Sequence, residues 1–202
     1  MDSVRSTGSA AVKRRPGGRS ARVRAAVLLA TVAELAAVGY SEMSLEEIAR
    51  RAGVHKTTVY RRWGTREELI LDVMRERTSQ VVPVPDTGSL REDLLVLARA
   101  AVANARSPGV EAVMRAVVSG VHRNPVFAEA SRRFWTERMN LDGKIVERAI
   151  VRGEAPAHTD PRQIIEAVLG PLHLRLLISG DSPGEPVIQQ VVDLVLSGVK
   201  AA

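Results

Sequence analysis

The pattern of apolar and polar positions predicts a chain built from helices. Residues 21–38 are dominated by Ala, Val and Leu and contain no Pro or Gly, which predicts a first helix that ends at Gly39. Two shorter helices, at about 44–52 and 56–63, follow and end at Gly53 and Gly64. No segment alternates like a half-buried strand and no repeat is present, so we expect an all-α fold.

Three helix starts carry the sequence of a capping box. In this motif a Ser or Thr side chain accepts a hydrogen bond from a backbone N–H three residues later, and an acidic residue there reaches back. The three pairs are Ser44 with Glu47, Thr65 with Glu68, and Ser89 with Glu92. We therefore expect helices to begin just after each of these Ser and Thr residues.

A boundary between two modules is expected at residues 82–88, which contain two prolines and a glycine. Beyond it, further breaks predict about five helices, the third of which is long, at about 126–152. Asp160 and Pro161 suit the cap and first turn of the helix that follows.

The positive charge is concentrated in the first third of the chain. Residues 1–64 contain 12 Lys or Arg and 5 Asp or Glu, whereas the remaining 138 residues contain 17 and 18. A basic module joined to a neutral one suggests an end that binds a polyanion. A merely solvated basic surface would give the same charge pattern, so charge alone leaves both interpretations open.

Composition argues against several other classes of protein. The chain has no cysteine, its four histidines are scattered, and it has neither a Gly-rich phosphate loop nor a nucleophile elbow. We therefore expect no catalytic residue, no metal site and no cofactor. No uninterrupted apolar stretch reaches roughly 18 residues and no apolar segment directly follows the basic N-terminus, so we expect no membrane span, no secretory signal and a cytoplasmic protein.

The first three helices have the small residues of a helix-turn-helix motif. Ala49 lies where two helices would cross, because a larger side chain would separate them. Gly53 suits the positive φ of the turn. Val59 is expected to face Ile48 and Val54 in a three-helix core.

The outward face of the third helix suits contact with DNA. His55, Lys56, Thr57 and Thr58 lie at its start, where backbone N–H groups also favour phosphate, and Tyr60, Arg61 and Arg62 follow. A solvated basic helix is the alternative interpretation.

At this point the chain resembles the tetracycline-repressor (TetR) family over about residues 21–75. The residues that carry the resemblance are Gly39-Tyr40, Ser44-Leu45-Glu46-Glu47-Ile48-Ala49, Ala52-Gly53-Val54, Thr57-Thr58-Val59-Tyr60 and Glu67-Glu68-Leu69. The resemblance implies a homodimer that inserts one third helix per subunit into double-stranded DNA at a near-palindromic operator. It also implies a pocket for a small-molecule effector in the C-terminal module and a dimer interface made mainly by the last two helices.

The resemblance also suggests contact residues. Thr57, Thr58 and Tyr60 occupy positions that contact phosphates or bases in such proteins, and Ser44 would contact phosphate. Arg66 stands where many members have lysine, and Trp63 stands where phenylalanine is usual, a change expected to matter only for packing. The full set of expected DNA contacts is Ser44, His55, Lys56, Thr57, Thr58, Tyr60, Arg61, Arg62, Thr65 and Arg66.

The expected organisation is a disordered basic arm (1–19), a helix-turn-helix DNA-binding domain (20–64), a connecting helix (65–82) and a C-terminal helical bundle for effector binding and dimerisation (83–202). The expected function is a ligand-responsive transcriptional regulator, most simply a repressor released by a small hydrophobic effector. An activator, or a regulator controlled by a protein partner or by no ligand, stays open.

The C-terminal sequence says less about individual residues. Residues 164–177 are apolar nearly all round, and Leu194 belongs to an apolar face of the last helix, as pairing with a second subunit would require. His173 and Arg175 interrupt this apolar segment, either as a buried pair satisfied by hydrogen bonds at the dimer interface or as ligand contacts. The candidates for the ligand pocket are Met114, Val118, Phe127, Phe134, Trp135, Met139 and His173, although such side chains are more often plain core.

The basic arm generates the first prediction. If Arg14, Arg15 and Arg19 neutralise phosphates, deleting residues 1–19 lowers the slope of log affinity against log salt by about 0.9 for each phosphate that the arm neutralises. A salt titration of DNA binding measures this slope. An unchanged slope would make the arm a passive tail.

Overall fold

The computed structural model describes residues 17–107 and 109–201, and every regular element in these ranges is helical. The helices are α1 (Gly17–Glu42), α2 (Leu45–Arg51), α3 (Lys56–Trp63), α4 (Arg66–Val81), α5 (Leu90–Ala105), α6 (Val110–Val121), α7 (Pro125–Val151), α8 (Pro161–Leu174) and α9 (Glu185–Ala201). A π-helical turn, Arg175–Ser179, extends α8. The predicted all-α fold is confirmed.

The first helix starts earlier than predicted. Residues 17–19, expected in a disordered arm, form the first turn of α1. Arg62 of α3 donates hydrogen bonds to the carbonyl and the hydroxyl of Ser20, at 3.4 and 3.2 Å, so a distant residue anchors this turn. Towards the other end, Gly39 has a non-helical φ of 72°, so the predicted end of the helix is a kink, beyond which α1 continues to Glu42.

By length and composition alone, α1 could span a membrane from Gly18 to Glu42. In the structure it lies against α2, α4 and α6 as a core helix. Two of its buried polar side chains have contacts within the protein, because Thr31 donates to the Val27 carbonyl at 2.8 Å and the Glu34 carboxylate lies 2.9 Å from Arg51. The burial of paired polar groups on this helix is the pattern expected of a helix packed in a protein core.

Two of the three predicted N-caps form. Ser44 accepts from the backbone N–H of Glu47, and Thr65 accepts from that of Glu68, both at 3.2 Å. The predicted return bond from Glu47 is wrong, because its carboxylate binds Arg50 and Arg51 instead.

The third predicted cap, Ser89, is also wrong, since its side chain makes no capping bond although α5 begins directly after it. Glu154 accepts from the backbone N–H of Leu90 at 2.7 Å, and Asp93 accepts from that of Thr87 at 2.7 Å. The first backbone N–H of α5 is thus satisfied by a carboxylate that the tertiary fold brings from residue 154.

Two apolar clusters form the core. The first contains residues of α1, α2, α3 and α4 together with buried residues of α6 and α7, such as Val113 and Phe127. The second contains residues of α5, α7, α8 and α9. Trp135 of α7 packs against both. Because α6 and α7 complete the close-packed core of the N-terminal helices, a displacement of either would change the packing of α1 and α4.

Helix α7 holds the segment between α4 and α5. Arg138 donates to the carbonyl of Val82 at 3.2 Å, and Arg148 donates to the carbonyl of Pro85. Arg148 also lies 3.3 Å from the carboxylate of Asp86. The proline-containing segment is therefore bound along one side of α7, and its sequence alone does not indicate this attachment.

Candidate DNA interface and internal cavity

The turn between α2 and α3 has the geometry that its small residues predict. The N–H of Val54 donates to the carbonyl of Ala49 at 3.0 Å, across the turn, and Gly53 has a φ of 65°. Ile48 and Val59 are fully buried between the helices, and Ala49 is almost so. These contacts fix α3 against α2 and leave its opposite face outward.

The outward face of α3 carries the predicted polar residues. Lys56, Thr57, Tyr60 and Arg61 are exposed. His55 is the N-cap, and its Nδ1 accepts from the N–H of Thr57 at 3.4 Å and lies 2.8 Å from the Thr57 hydroxyl. His55, Lys56 and Thr57 stand at the positive end of the helix dipole, where phosphate is favoured.

Tyr60 is oriented by an acidic residue of α2. Its hydroxyl donates to Glu46 at 2.6 Å, although 43% of the Tyr60 side chain is exposed. This bond raises the pKa of Tyr60 and lowers the pKa of Glu46. Sequence reasoning missed the contact, because the two residues are on different helices and no local pattern joins them.

Arg66 is directed towards the end of α1. Its guanidinium donates to the carbonyls of Tyr40 and Ser41 at 3.1 and 3.2 Å, and it stacks over the Tyr40 ring at 4.4 Å. Cations suit the carbonyl end of a helix. The structure thus gives Arg66 a place between helices, and its contact with phosphate stays a prediction.

A basic groove runs beside α3. It is lined by residues of α1 and α3 that include Arg19, His55, Thr58, Arg61 and Arg62. Arg62 stacks on Trp63 at 5.1 Å as well as binding Ser20. Arg14 and Arg15 lie outside the described residues, so deleting residues 1–16 tests the arm while leaving α1 intact.

The C-terminal end of α3 is joined to α4 by Trp63. Its indole N–H donates to the carboxylate of Asp72 at 2.9 Å, and Arg24 of α1 donates to the same carboxylate at 2.7 and 3.0 Å. Burial alone would raise the pKa of Asp72, but the hydrogen bonds from Arg24 and Trp63 outweigh it and lower the pKa. The expectation that Trp63 matters only for packing is wrong, because phenylalanine has no N–H to donate.

A cavity lies between α4, α5, α6, α7 and α8. The empty space between these helices is about 590 Å³ including its mouth, of which water can enter about 50 Å³. Met114, Trp135, Met139 and His173, four of the seven predicted pocket residues, line it. The space that water can enter is small, so a drug-sized molecule would have to displace flexible side chains such as the two methionines.

The other three predicted pocket residues lie elsewhere. Phe127 is fully buried in the first apolar cluster and stacks on Tyr40 with ring centroids 6.1 Å apart. Phe134 is buried in the same cluster, and Val118 is 42% exposed. Both the side of α6 and α7 that faces α1 and the side that faces the cavity are apolar. Helical spacing alone therefore does not show which residues line the cavity.

A buried ion pair lies in the cavity wall. Arg138 donates to both oxygens of Asp142, one of them at 2.8 Å, and both side chains are less than 10% exposed. Burial raises the pKa of Asp142 to about 6 against the attraction of Arg138, so its carboxylate is still ionised at neutral pH. Asp142 thus compensates Arg138.

His173 and Arg175 have different partners within the protomer, and their burial at a dimer interface stays a prediction. His173 lies edge-on to Trp135 with ring centroids 6.2 Å apart, and burial lowers its pKa. Arg175 lies 3.7 Å from Asp181 instead. The described ranges hold no cluster of three His, Asp or Glu side chains that could bind a metal ion.

Comparisons with known proteins agree with this arrangement. Residues 27–73 match the family model described as bacterial regulatory proteins, tetR family, and residues 84–195 match that of the tetracyclin repressor-like C-terminal domain. The chain belongs to the TetR family of transcriptional regulators. It is therefore a helix-turn-helix DNA-binding regulator and not an enzyme.

Individual relatives support the assignment over nearly the whole chain. The HTH-type transcriptional regulator AqdR of Rhodococcus erythropolis is 35% identical over 89% of this chain and 86% of its own. The DNA-binding transcriptional repressor TetR of Mycobacteroides abscessus is 29% identical over 86% of this chain and 92% of its own. The crystal structure of the TetR family regulator SCO0332 is 27% identical, with a TM-score of 0.73 over 88% of this chain and 98% of that one.

The bond between Trp63 and Asp72 generates the second prediction. Trp63→Phe and Asp72→Asn should each lower the free energy of unfolding, and the two effects should be coupled by about 0.5–3 kcal/mol in a double-mutant cycle. Chemical denaturation measures all four proteins.

The matched control is the cycle between Trp135→Phe and Asp72→Asn. Trp135 loses the same atoms, but its indole N–H has no hydrogen-bond partner in the described part of the chain. That cycle should be additive. Additive effects for Trp63 and Asp72 as well would show that the bond does not contribute to stability.

Proposed function

We propose that this TetR-family regulator is a homodimeric repressor of the cytoplasm that a small molecule releases from a near-palindromic operator. The observation that carries the proposal is the position of α3. Val59 is buried against Ile48, whereas Thr57, Tyr60 and Arg61 face outward. Such a helix can enter the major groove and present donors to phosphates and base edges.

A dimer through the last two helices is supported by apolar side chains that the protomer leaves exposed. Leu174 in α8, Ile178 in the π turn and Leu194 in α9 are 57, 68 and 74% exposed. The inner side of α9 is already buried in its own protomer through Ile188 and Val192. Pairing of the outer sides with a second copy would be an isologous contact and would hold the two α3 helices about 34–36 Å apart.

Helix α4 is suited to link an effector to DNA. Its residues Met74 and Thr78 line the cavity, and its residue Asp72 holds Trp63 at the end of α3. In the proposed mechanism, an effector shifts α4 and thereby changes the spacing of the two reading helices. The effector must bind the released state more tightly than the DNA-bound state. The name of the Mycobacteroides abscessus relative, a transcriptional repressor, supports repression as the sign of regulation.

A second candidate is a regulator without a small-molecule effector. The small volume of the cavity, about 50 Å³, favours it, because ligand pockets usually have roughly 300–1,000 Å³. A screen for compounds that dissociate the operator complex separates the two candidates. At least one compound that lowers operator affinity about tenfold or more is expected of a ligand-responsive repressor.

The position of α3 generates the third prediction. Tyr60→Ala and Thr57→Ala should each lower operator affinity about 10- to 100-fold, because each removes a contact to base or phosphate, while the proteins stay folded dimers. Fluorescence anisotropy with labelled operator measures the affinity. Lys144→Ala, an exposed change on α7, is the control and should bind as the parent does. Unchanged affinity in both α3 variants would discard α3 as the reading helix.

The exposed apolar face generates the fourth prediction. Leu194→Asp should convert the dimer into a monomer and weaken operator binding, because a buried carboxylate at the interface has no partner. Val151→Asp changes an apolar side chain of α7 that is 88% exposed and should leave the dimer intact. Analytical ultracentrifugation distinguishes the two. A Leu194→Asp protein that remains dimeric would place the interface elsewhere.

A further inference from the structure

The charges that line the cavity do not cancel. Arg138 is compensated by Asp142, and His173 is neutral at neutral pH because burial lowers its pKa. One more charged side chain, Arg77 of α4, lines the cavity. The lining therefore carries a formal charge of one positive unit.

Arg77 is half-buried and has no hydrogen-bond or ion-pair partner in residues 17–107 and 109–201. The preceding residue, Glu76, forms an ion pair with Arg24 of α1. A guanidinium that is partly removed from water without a partner is costly, and its planar donors suit a carboxylate or another oxyanion.

The rest of the cavity is suited to an apolar body. Met74, Val113, Met114, Trp135 and Met139 form its walls. Methionine side chains are unbranched and flexible, so they can move aside for a ligand larger than the space that water now enters.

We propose that the effector is an amphipathic organic anion, whose acidic group pairs with Arg77 and whose apolar body lies among the methionines and Trp135. The proposal rests on the proposed function, since it names the chemical class of the effector. An anion that pairs with Arg77 would act on α4 five residues beyond Asp72. A neutral molecule would leave the guanidinium without a partner, and a cation would be repelled by it.

The test compares two probes that differ only in charge. 8-Anilino-1-naphthalenesulfonate carries a sulfonate, and N-phenyl-1-naphthylamine has the same ring body without it. Binding of each to the full chain is followed by its fluorescence and by energy transfer from tryptophan, since Trp135 lines the cavity. The sulfonate should bind at least about tenfold more tightly than the neutral amine, as expected for one charge-assisted contact.

Three variants test whether Arg77 causes the tighter binding of the sulfonate. Arg77→Gln should reduce the ratio of the two affinities, sulfonate over neutral amine, below about threefold, and Arg77→Lys should retain most of this ratio. Arg75→Gln removes an exposed arginine of the same helix that does not line the cavity, and it should behave as the parent does. Thermal unfolding of each variant without probe checks that it is folded.

Several results would overturn the proposal. These are equal affinities of the parent for the two probes, a preference that survives Arg77→Gln, or no binding of either probe. Release of the operator only by neutral compounds would also overturn it and would leave the ligand-responsive repressor standing. Conversely, failure of the chain to bind any operator would remove the proposed function, while the charge preference of the cavity would still be measured independently.

Discussion

The carboxylate of Asp72 is the contact on which the placement of the DNA-binding helices depends. It accepts hydrogen bonds from Trp63 at the end of α3 and from Arg24 of α1, and it is itself part of α4. A partly buried carboxylate is stable only when such partners compensate its lost hydration. The three helices must therefore keep their mutual positions to satisfy it, and α3 inherits its orientation from α1 and α4.

The same helix α4 extends from this carboxylate to the cavity, where Met74 and Arg77 form part of the wall. Its end is held by Arg138 of α7, which binds the Val82 carbonyl and Asp142 together. Since α6 and α7 also complete the apolar core around α1, the two modules share packing and are not independent bodies joined by a linker. In the proposed mechanism, an effector that alters the contacts of α4 or α7 in the cavity acts on the reading helix through this continuous set of contacts.

Local sequence signals predicted the local structure well. The bounds of α3, the break at Gly39 and the caps at Ser44 and Thr65 follow from residues that are neighbours in the chain. Each depends on backbone conformations or hydrogen bonds within one turn, which is the range over which a sequence pattern acts.

Contacts between distant residues could not be predicted in the same way. Ser89 makes no capping bond, and the Leu90 N–H at the start of α5 donates to Glu154, 64 residues away. The bond between Tyr60 and Glu46 and the polar role of Trp63 also join different helices. The cavity likewise depends on how α6 and α7 are rotated against α1, which is decided by packing and not by helical periodicity.

In the proposed function, the outward face of α3 reads a specific DNA sequence in a dimer. Its most direct test is a gel-shift salt titration with DNA flanking the protein's own gene, other genomic fragments and a random duplex. We expect tight binding of one fragment that resists competitor DNA, in a complex with the stoichiometry of a dimer. Equal and weak binding to every duplex, decreasing in parallel as salt rises, would contradict it.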